Sequence, residues 1–509
     1  MDVTQILMLI TILVYLAAMV GIGAVLAKQN QTTDDFYLGG RTLGPLVTAM
    51  SAEASDMSSW LLMGLPGVAY LSGTADAAWT AIGLAIGTYV NWLVVAKRLR
   101  NYTHVCGNST TLPLFFSNRY RDNKRILSVI AALLIIIFFV PYTASGFAAC
   151  GKLFANLFGM DYLPAMLISA IVIVAYTTLG GFLAASTTDF VQSIVMTIAI
   201  VVVFGFGISK VGSFSAVMDN AKSMAGYFSL THTHDVATGT ASPYSLLQIF
   251  STLAWGLGYF GMPHVLLRFM AIGDANKLKL SRRVATVWVV ISMAVSVFIG
   301  VIGNAMTKAG VLPTLKDPET IILVVADLIS KHGVLATIIA GLILAGILAA
   351  TMSTADSQLL AASSSASQNI LKEVFMKDMS EKTGMLIARI TVLVIALIGV
   401  FIARNPDSSV FQIVSFAWAG FGAAFGPVIL LSLYWKRSNR WGALAGMISG
   451  AAMVFIWKYL VRPLGGLWDV YELLPAFIIA LIMIVVVSLL TKAPEQAILD
   501  EFDAAMKAE

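Results

Sequence analysis

Apolar runs of about twenty residues recur along the whole chain, separated by short polar stretches. The pattern divides into thirteen segments, roughly 5–27, 44–71, 76–96, 126–156, 162–180, 188–210, 244–270, 284–306, 333–368, 385–403, 409–435, 441–461 and 471–491. At about 1.5 Å per residue, a helix of this length crosses the hydrocarbon core of a bilayer. The runs are too long and too numerous for core or barrel strands, so the predicted fold class is an all-α polytopic membrane protein. The polar breaks have a pattern of their own. Lys97, Arg98, Arg100, Arg119, Arg121, Lys124 and Arg125 lie between segments 3 and 4, and Arg268, Lys277, Lys279, Arg282 and Arg283 between 7 and 8. Lys372, Lys377, Lys382 and Arg389 lie between 9 and 10, and Lys436, Arg437 and Arg440 between 11 and 12. These four basic loops share one side, while the 211–243 loop on the other is weakly charged. Lys and Arg collect in cytoplasmic loops, which predicts an N-terminus outside and a C-terminus inside a cell membrane. The first segment has no basic flank and no clear cleavage site, and reads as a retained helix. A short helix is expected at 319–332, and the tail after Lys492 is acidic and mildly amphipathic.

Two segments are interrupted. Segment 2 contains SAEASDMSSWLLMGLPG (Ser51–Gly67), with Glu53, Asp56 and three serines inside an apolar run. An acid at mid-membrane costs roughly 2.5–3.5 kcal/mol on insertion scales. A bound cation and a bound solute would offset that cost; pairing of Asp56 with a buried base is the other explanation. Segment 7 contains Trp255 to Pro263, with three glycines and then a proline, which cannot make a good continuous helix. The two breaks are five segments apart and run in opposite directions. That arrangement points to an inverted-repeat secondary transporter, with segments 2–6 and 7–11 as its halves. Freed backbone carbonyls need partners where hydrocarbon offers none, and a small cation can be that partner. Segment 9 adds a stripe at helical spacing of Gly346, Ala350, Ser353, Thr354, Ser357, Ala361 and Ser364. The stripe suits close helix packing; facing the carbonyls of Ala54 and Met57, its hydroxyls would equally make an all-oxygen cation cage. Trp255 and Tyr259, one helical turn apart, read as a pocket wall or as packing anchors.

Composition narrows the class. Of 509 residues, 58% are hydrophobic and 12% charged, and the mean hydropathy is +0.86. A soluble chain carries roughly twice that charged fraction. The net charge of +5 resides in loops and is no sign of nucleic-acid binding. Cys106 and Cys150 do not suggest a disulfide framework. His232 and His234 are two potential metal ligands without a carboxylate partner, and read as loop residues. No phosphate-binding motif or nucleophile–base cluster emerges, which argues against an enzyme. The proposed division is 1–43, repeat 44–210, loop 211–243, repeat 244–435, two peripheral helices 436–491 and tail 492–509.

Five motifs resemble those of the sodium:solute symporter family, in its proline-transporting branch: GGRTLGP (Gly39–Pro45), SDMSSWLLMGLPG (Ser55–Gly67), WGLGYFGMPH (Trp255–His264), MSTADSQLL (Met352–Leu360) and FAWAGFGAAFGPV (Phe416–Val428). The resemblance implies a LeuT-like core of ten helices in a 5+5 inverted repeat plus three more helices, and sodium-coupled uptake of L-proline. It implies a sodium site formed by Ala54, Met57, Ala350, Ser353 and Thr354, with Asp56 as the coupling acid. It implies a solute site from Ser58, Trp60, Tyr142, Trp255, Tyr259 and Pro263, and coupling or helix-breaking roles for Arg41 and Gly64. Asp189, Asp356 and Ser357 match a second cation site of some relatives, although Asp189 is also read as an acid at the start of segment 6. Three residues depart from the pattern: Glu53 stands where a small residue is expected, Ser59 where glycine is usual, and Met262 where glutamine is common. Another amino acid, a carboxylate or a sugar is the alternative solute.

Overall fold

The computed structural model describes residues 2–28, 32–375, 380–405 and 409–507; Lys377, counted above among the basic loop residues, lies outside them. Apart from a hairpin pairing His232–His234 with Ala241–Pro243, the described chain is almost wholly helical. Ten helices among the described residues are long and apolar enough to cross a membrane. The other three apolar segments are the shorter helix Tyr162–Ala175 and the two interrupted stretches. Helix starts use capping side chains: Asp2 with Gln5, and Ser245 with Gln248, form reciprocal capping boxes that satisfy otherwise unpaired amides.

Segments 5 and 6 are two helices that meet without a loop within Tyr162–Val211, the second starting at Gly181 (φ 66°, ψ −178°). Asp189 is therefore two turns inside a helix, and its reading as a helix-start acid is corrected. The short helix expected before segment 9 is present as Ile321–Ser330, and the tail forms Gln496–Lys507. The tail docks on the basic loops through buried Phe502 and through Glu501 with Arg121 and Asp503 with Lys436. Cys106 and Cys150 are buried and unpaired.

Burial separates a centre from a periphery. The apolar windows of segments 9 and 11 are 67% and 78% buried, against 28% for segments 1, 10 and 12. Segment 3 packs on the segment 7 break through small residues. A Cβ on Gly87 would come within 2.4 Å of the Gly256 carbonyl, so only glycine permits this approach. Segment 8 packs on the other break, with Ser296 donating to the Leu61 carbonyl and Gly300 against Pro66. Both interruptions thus lie at the centre of the bundle.

Candidate functional site

Segment 2 enters as the helix Pro45–Ser59, started by a proline whose missing N–H costs nothing at that position. Ser58 breaks it at φ 50° and ψ −171°, a left-handed region that L-residues rarely occupy. A wide turn, Trp60–Gly64, follows, and Leu65–Ser72 completes the crossing. The break satisfies itself locally. Ser58 Oγ accepts from the Trp60 amide at 3.0 Å, and the Tyr142 hydroxyl donates to the Asp56 carbonyl at 3.0 Å. Gly64 lies against Trp60 and Phe411, with little room for a side chain.

Segment 7 is broken differently. The helix Leu246–Leu253 tightens into a 3₁₀ stretch, Ala254–Gly261, becomes extended at Met262, and restarts at Pro263 as Pro263–Ala271. Eight residues of 3₁₀ helix is long for that geometry. It is held from outside: Trp418 Nε1 donates to the Trp255 carbonyl at 2.7 Å, and Asn91 Nδ2 to the Tyr259 carbonyl at 3.1 Å.

Between the breaks is a narrow cavity of about 10 Å³, room for about one water, lined by Asp56, Met57, Trp60, Leu84, Tyr142, Trp255, Val414 and Trp418. Tyr259 reaches Asp56, its hydroxyl donating to Oδ2 at 2.7 Å. Asp56 is buried and has no base in hydrogen-bonding contact among the described residues, so the salt-bridge explanation does not hold for it. A larger polar cavity of about 380 Å³, bounded by His234, Tyr244, Gln248 and Arg462, opens on the side of the 211–243 loop. Trp255 lines both spaces. Around it Trp60, Phe411 and Tyr471 pack at centroid distances of 5.5, 5.4 and 5.2 Å, the first two tilted and Tyr471 stacked, making an aromatic partition between them.

On the other side of segment 2, the Ser353 hydroxyl lies 2.9 Å from the Ala54 carbonyl and 3.2 Å from that of Ala350, and Thr354 Oγ1 lies 3.0 Å from the Ala350 carbonyl. Four of the six residues assigned to the cation thus meet. Met57 lines the cavity, and the Asp56 carboxylate turns to Tyr259. Asp189, Asp356 and Ser357 also come together, but with a base among them. Arg268, placed with the basic loop by its sequence position, is 1% exposed. Its Nη2 is 3.1 Å from Asp189 Oδ2 and 2.5 Å from Ser357 Oγ, and its Nε is 3.0 Å from Ser51 Oγ. Its reading as a loop charge is corrected: the helix runs on, so the guanidinium lies inside the bundle. Pro263 is buried at the restart of segment 7 and is not among the residues lining the cavity. Arg41 lies at the basic face, bonded to the carbonyls of Met270 and Ser109 at 2.6 and 2.7 Å. Burial, with Arg100 beside it, pulls its guanidinium down to about 10.

Sequence reasoning missed several residues here. Trp418 belongs to a recognised motif but had no role, and Phe411 and Tyr471 carry no local signal. Glu319 lies in the connector before segment 9. Its carboxylate takes the amides of Val410 and Phe411 and the hydroxyl of Ser409, and pairs with buried Lys152 at 2.9 Å. It therefore fixes the start of the helix that carries Phe411.

Two oppositely running, interrupted helices around a narrow cavity, with backbone oxygens facing hydroxyls, are the architecture of a secondary active transporter. Comparison with known proteins gives the family. Residues 36–450 match the sodium:solute symporter family. The chain is 43% identical over 506 residues to a "Sodium/proline symporter" of Haemophilus influenzae, covering 98% of both chains. It is also 43% identical over 490 residues to the "Osmoregulated proline transporter OpuE" of Bacillus subtilis, covering 96% of both. The chain belongs to the sodium:solute symporter family; it is a multi-pass membrane transporter rather than an enzyme. Among solved structures, a Na+-coupled sialic acid symporter in an outward-open state aligns over 96% of this chain and 99% of its own, with TM-score 0.78 and 19% identity. MhsT in complex with L-phenylalanine aligns over 88% and 98%, with TM-score 0.55 and 14% identity. These likenesses support the inverted-repeat fold.

Proposed function

We propose that the protein takes up L-proline with sodium by alternating access. The observation that carries this reading is the meeting of the Ala54 and Ala350 carbonyls with Ser353 and Thr354 beside the break. Oxygen ligands of this kind suit a hard cation such as Na+, and several relatives near 43% identity bear sodium/proline names. In this reading Na+ holds segment 2 in its broken form. The proline ring lies against Trp60, Trp255 and Trp418, and its ammonium faces Asp56. Ser58 and Tyr142 fix the break, while Tyr259 orients Asp56. Pro263 sets the restart of segment 7, Gly64 lets Phe411 pack close, and Arg41 ties segment 2 to segment 7 at the basic face.

The basic loops support a cytoplasmic C-terminus and thirteen crossings arranged as repeats 44–210 and 244–435. Asp189, Asp356 and Ser357 remain a candidate cation site only if Arg268 moves away. The apolar cavity with a single carboxylate favours a small zwitterion with an apolar ring over a sugar, which needs many polar partners. Purified protein in vesicles, given an inward sodium gradient, should accumulate labelled proline, and excess unlabelled proline should compete. Absence of sodium-driven proline uptake would refute the assignment, and competition by other solutes would redirect it. Asp56→Asn and Thr354→Ala should each weaken sodium dependence; wild-type sodium affinity in both would refute the cage.

A further inference from the structure

Glu53 is the residue of the segment 2 motif that the family resemblance leaves unassigned. It stands one helical turn before Asp56, and the two are 1% and 5% exposed. Residues three apart share a helix face. Among the described residues the carboxylates have no base in contact: the bundle's buried Arg268 is engaged by Asp189, and Lys152 by Glu319 and Asp317. His264, on segment 7, hydrogen-bonds to neither through its ring nitrogens.

What the region has is spare acceptor oxygens. Glu53 Oε1 accepts from Trp92 Nε1 at 2.9 Å, and Asp56 Oδ2 accepts from Tyr259. Glu53 Oε2 and Asp56 Oδ1 are buried without a donor. So are Thr88 Oγ1 and Asn91 Oδ1 on segment 3, a turn apart from each other. Segment 3 is held against this face by two bonds, Trp92 to Glu53 and Asn91 to the Tyr259 carbonyl. Two carboxylates, a hydroxyl and an amide oxygen thus come from two adjoining helices, with segment 7 closing the third side. A buried acceptor left without a donor costs about 1–3 kcal/mol, and more when charged. An all-oxygen set containing carboxylates is what a small hard cation requires.

We propose that Glu53, Asp56, Thr88 and Asn91 form a further monovalent-cation site between segments 2, 3 and 7, distinct from the cage of Ala54, Ala350, Ser353 and Thr354. Its occupant is Na+. The inference rests on the sodium-coupled reading and extends it to two sodium ions bound per molecule. The charges balance: the two carboxylates are matched by the two sodium ions, and a zwitterionic solute in the cavity that Asp56 lines adds no net charge.

The test is equilibrium binding of radioactive sodium to the purified full-length protein, with proline uptake measured alongside. Wild type should bind two ions, and Glu53→Gln one. Thr88→Val, a change of similar volume that keeps the charges, should weaken one of the two sites about tenfold or more. Thr354→Ala should weaken the other, and combined with Glu53→Gln should abolish binding. A wild type that binds one ion, or Glu53→Gln and Thr88→Val that both keep wild-type number and affinity, would overturn the inference while leaving sodium-driven proline uptake standing. A wild type with neither sodium binding nor sodium-driven uptake would overturn the functional reading as well.

Discussion

Replacing Arg268 tests whether the polar centre of the bundle is held by an ion pair. The guanidinium is the hub of four segments, bonding to Ser51, Asp189 and Ser357 and, through Nη1, to the His264 carbonyl at 3.0 Å. It also lies 4.9 Å over the Phe182 ring. Arg268 and Asp189 are 1% and 0% exposed, so solvent cannot take over either charge. Arg268→Met strands Asp189, and Asp189→Asn strands Arg268; each should cost about 3–5 kcal/mol, the usual result of removing one partner of a buried pair. The double variant removes both members of the pair and otherwise loses hydrogen bonds, at about 1 kcal/mol each; Asp356 loses Arg268 equally in the Arg268→Met single and in the double, so it drops out of that comparison. The double should therefore be more stable than either single, with an interaction energy of several kcal/mol in the cycle. Reversible unfolding in mixed micelles, followed by tryptophan fluorescence, measures it. Additive singles would refute the ion pair and return Asp189 to the set of free cation ligands. Arg268→Lys should behave as a loss, because an ammonium cannot span the same fork of partners.

Glu319→Gln removes the charge that pairs with Lys152 and loosens the helix start that carries Phe411. Because Lys152 keeps Asp317 at 2.8 Å, the change should cost about 1–3 kcal/mol and speed release of preloaded proline toward the 211–243 side; unchanged release would refute the partition. Gly87→Ala drives a Cβ to 2.4 Å from a backbone carbonyl; it should destabilise by about 1–3 kcal/mol, whereas Gly21→Ala, with nothing within 4 Å, should be neutral in a thermal melt. Phe502→Ala empties the buried contact of the tail with Tyr102 and Arg119. At about 3 kcal/mol, that should free the helix Gln496–Lys507 and raise its tryptic cleavage more than tenfold; unchanged cleavage would mean that the ion pairs alone hold it.

Much of the architecture was legible because the relevant signals are local. Helix crossings are written as runs of apolar residues, and the segment 7 break as Gly and Pro within one; the segment 2 break is at Ser58, ahead of Gly64 and Pro66, which are helical. The stripe on segment 9 follows from spacing alone, and its partner Ala54 follows once a break frees carbonyls. The signals that failed are those depending on distant chain. Arg268 falls at the end of an apolar run, where a base normally belongs to a loop; only the packing of segments 2, 6 and 9 around it reveals a buried pair. Glu319 looks like a connector acid until Lys152, 167 positions away, is found beside it. Trp418, Phe411 and Tyr471 reach the cavity from segment 11 and from the approach to segment 13, whose patterns say only that they are apolar. The tight join of segments 5 and 6 was hidden because the apolar pattern leaves the stretch between 180 and 188 out of both, whereas one helix ends and the next begins at Gly181 alone.

The placement of the break explains how ion and solute come to be linked. Ala54, on the helix before Ser58, faces segment 9, and Glu53 and Asp56 on that same helix face segments 3 and 7. Trp60, just beyond Ser58, belongs to the aromatic partition. An ion on either side of this half-helix therefore constrains the turn that carries Trp60, and movement of that turn changes access to both the ions and the cavity. Differential affinity is what moves such an equilibrium, and a swing from 1:99 to 99:1 needs about 5.5 kcal/mol. One charge crossing 100 mV supplies about 2.3 kcal/mol and two supply about 4.6. Two ions on one half-helix come close to driving the full transition by voltage alone, while one ion leaves more than half of it to the concentration gradient. Measuring the steepness of uptake against membrane potential in wild type and in Glu53→Gln would therefore separate the two arrangements, with a shallower dependence expected once the second carboxylate is neutral.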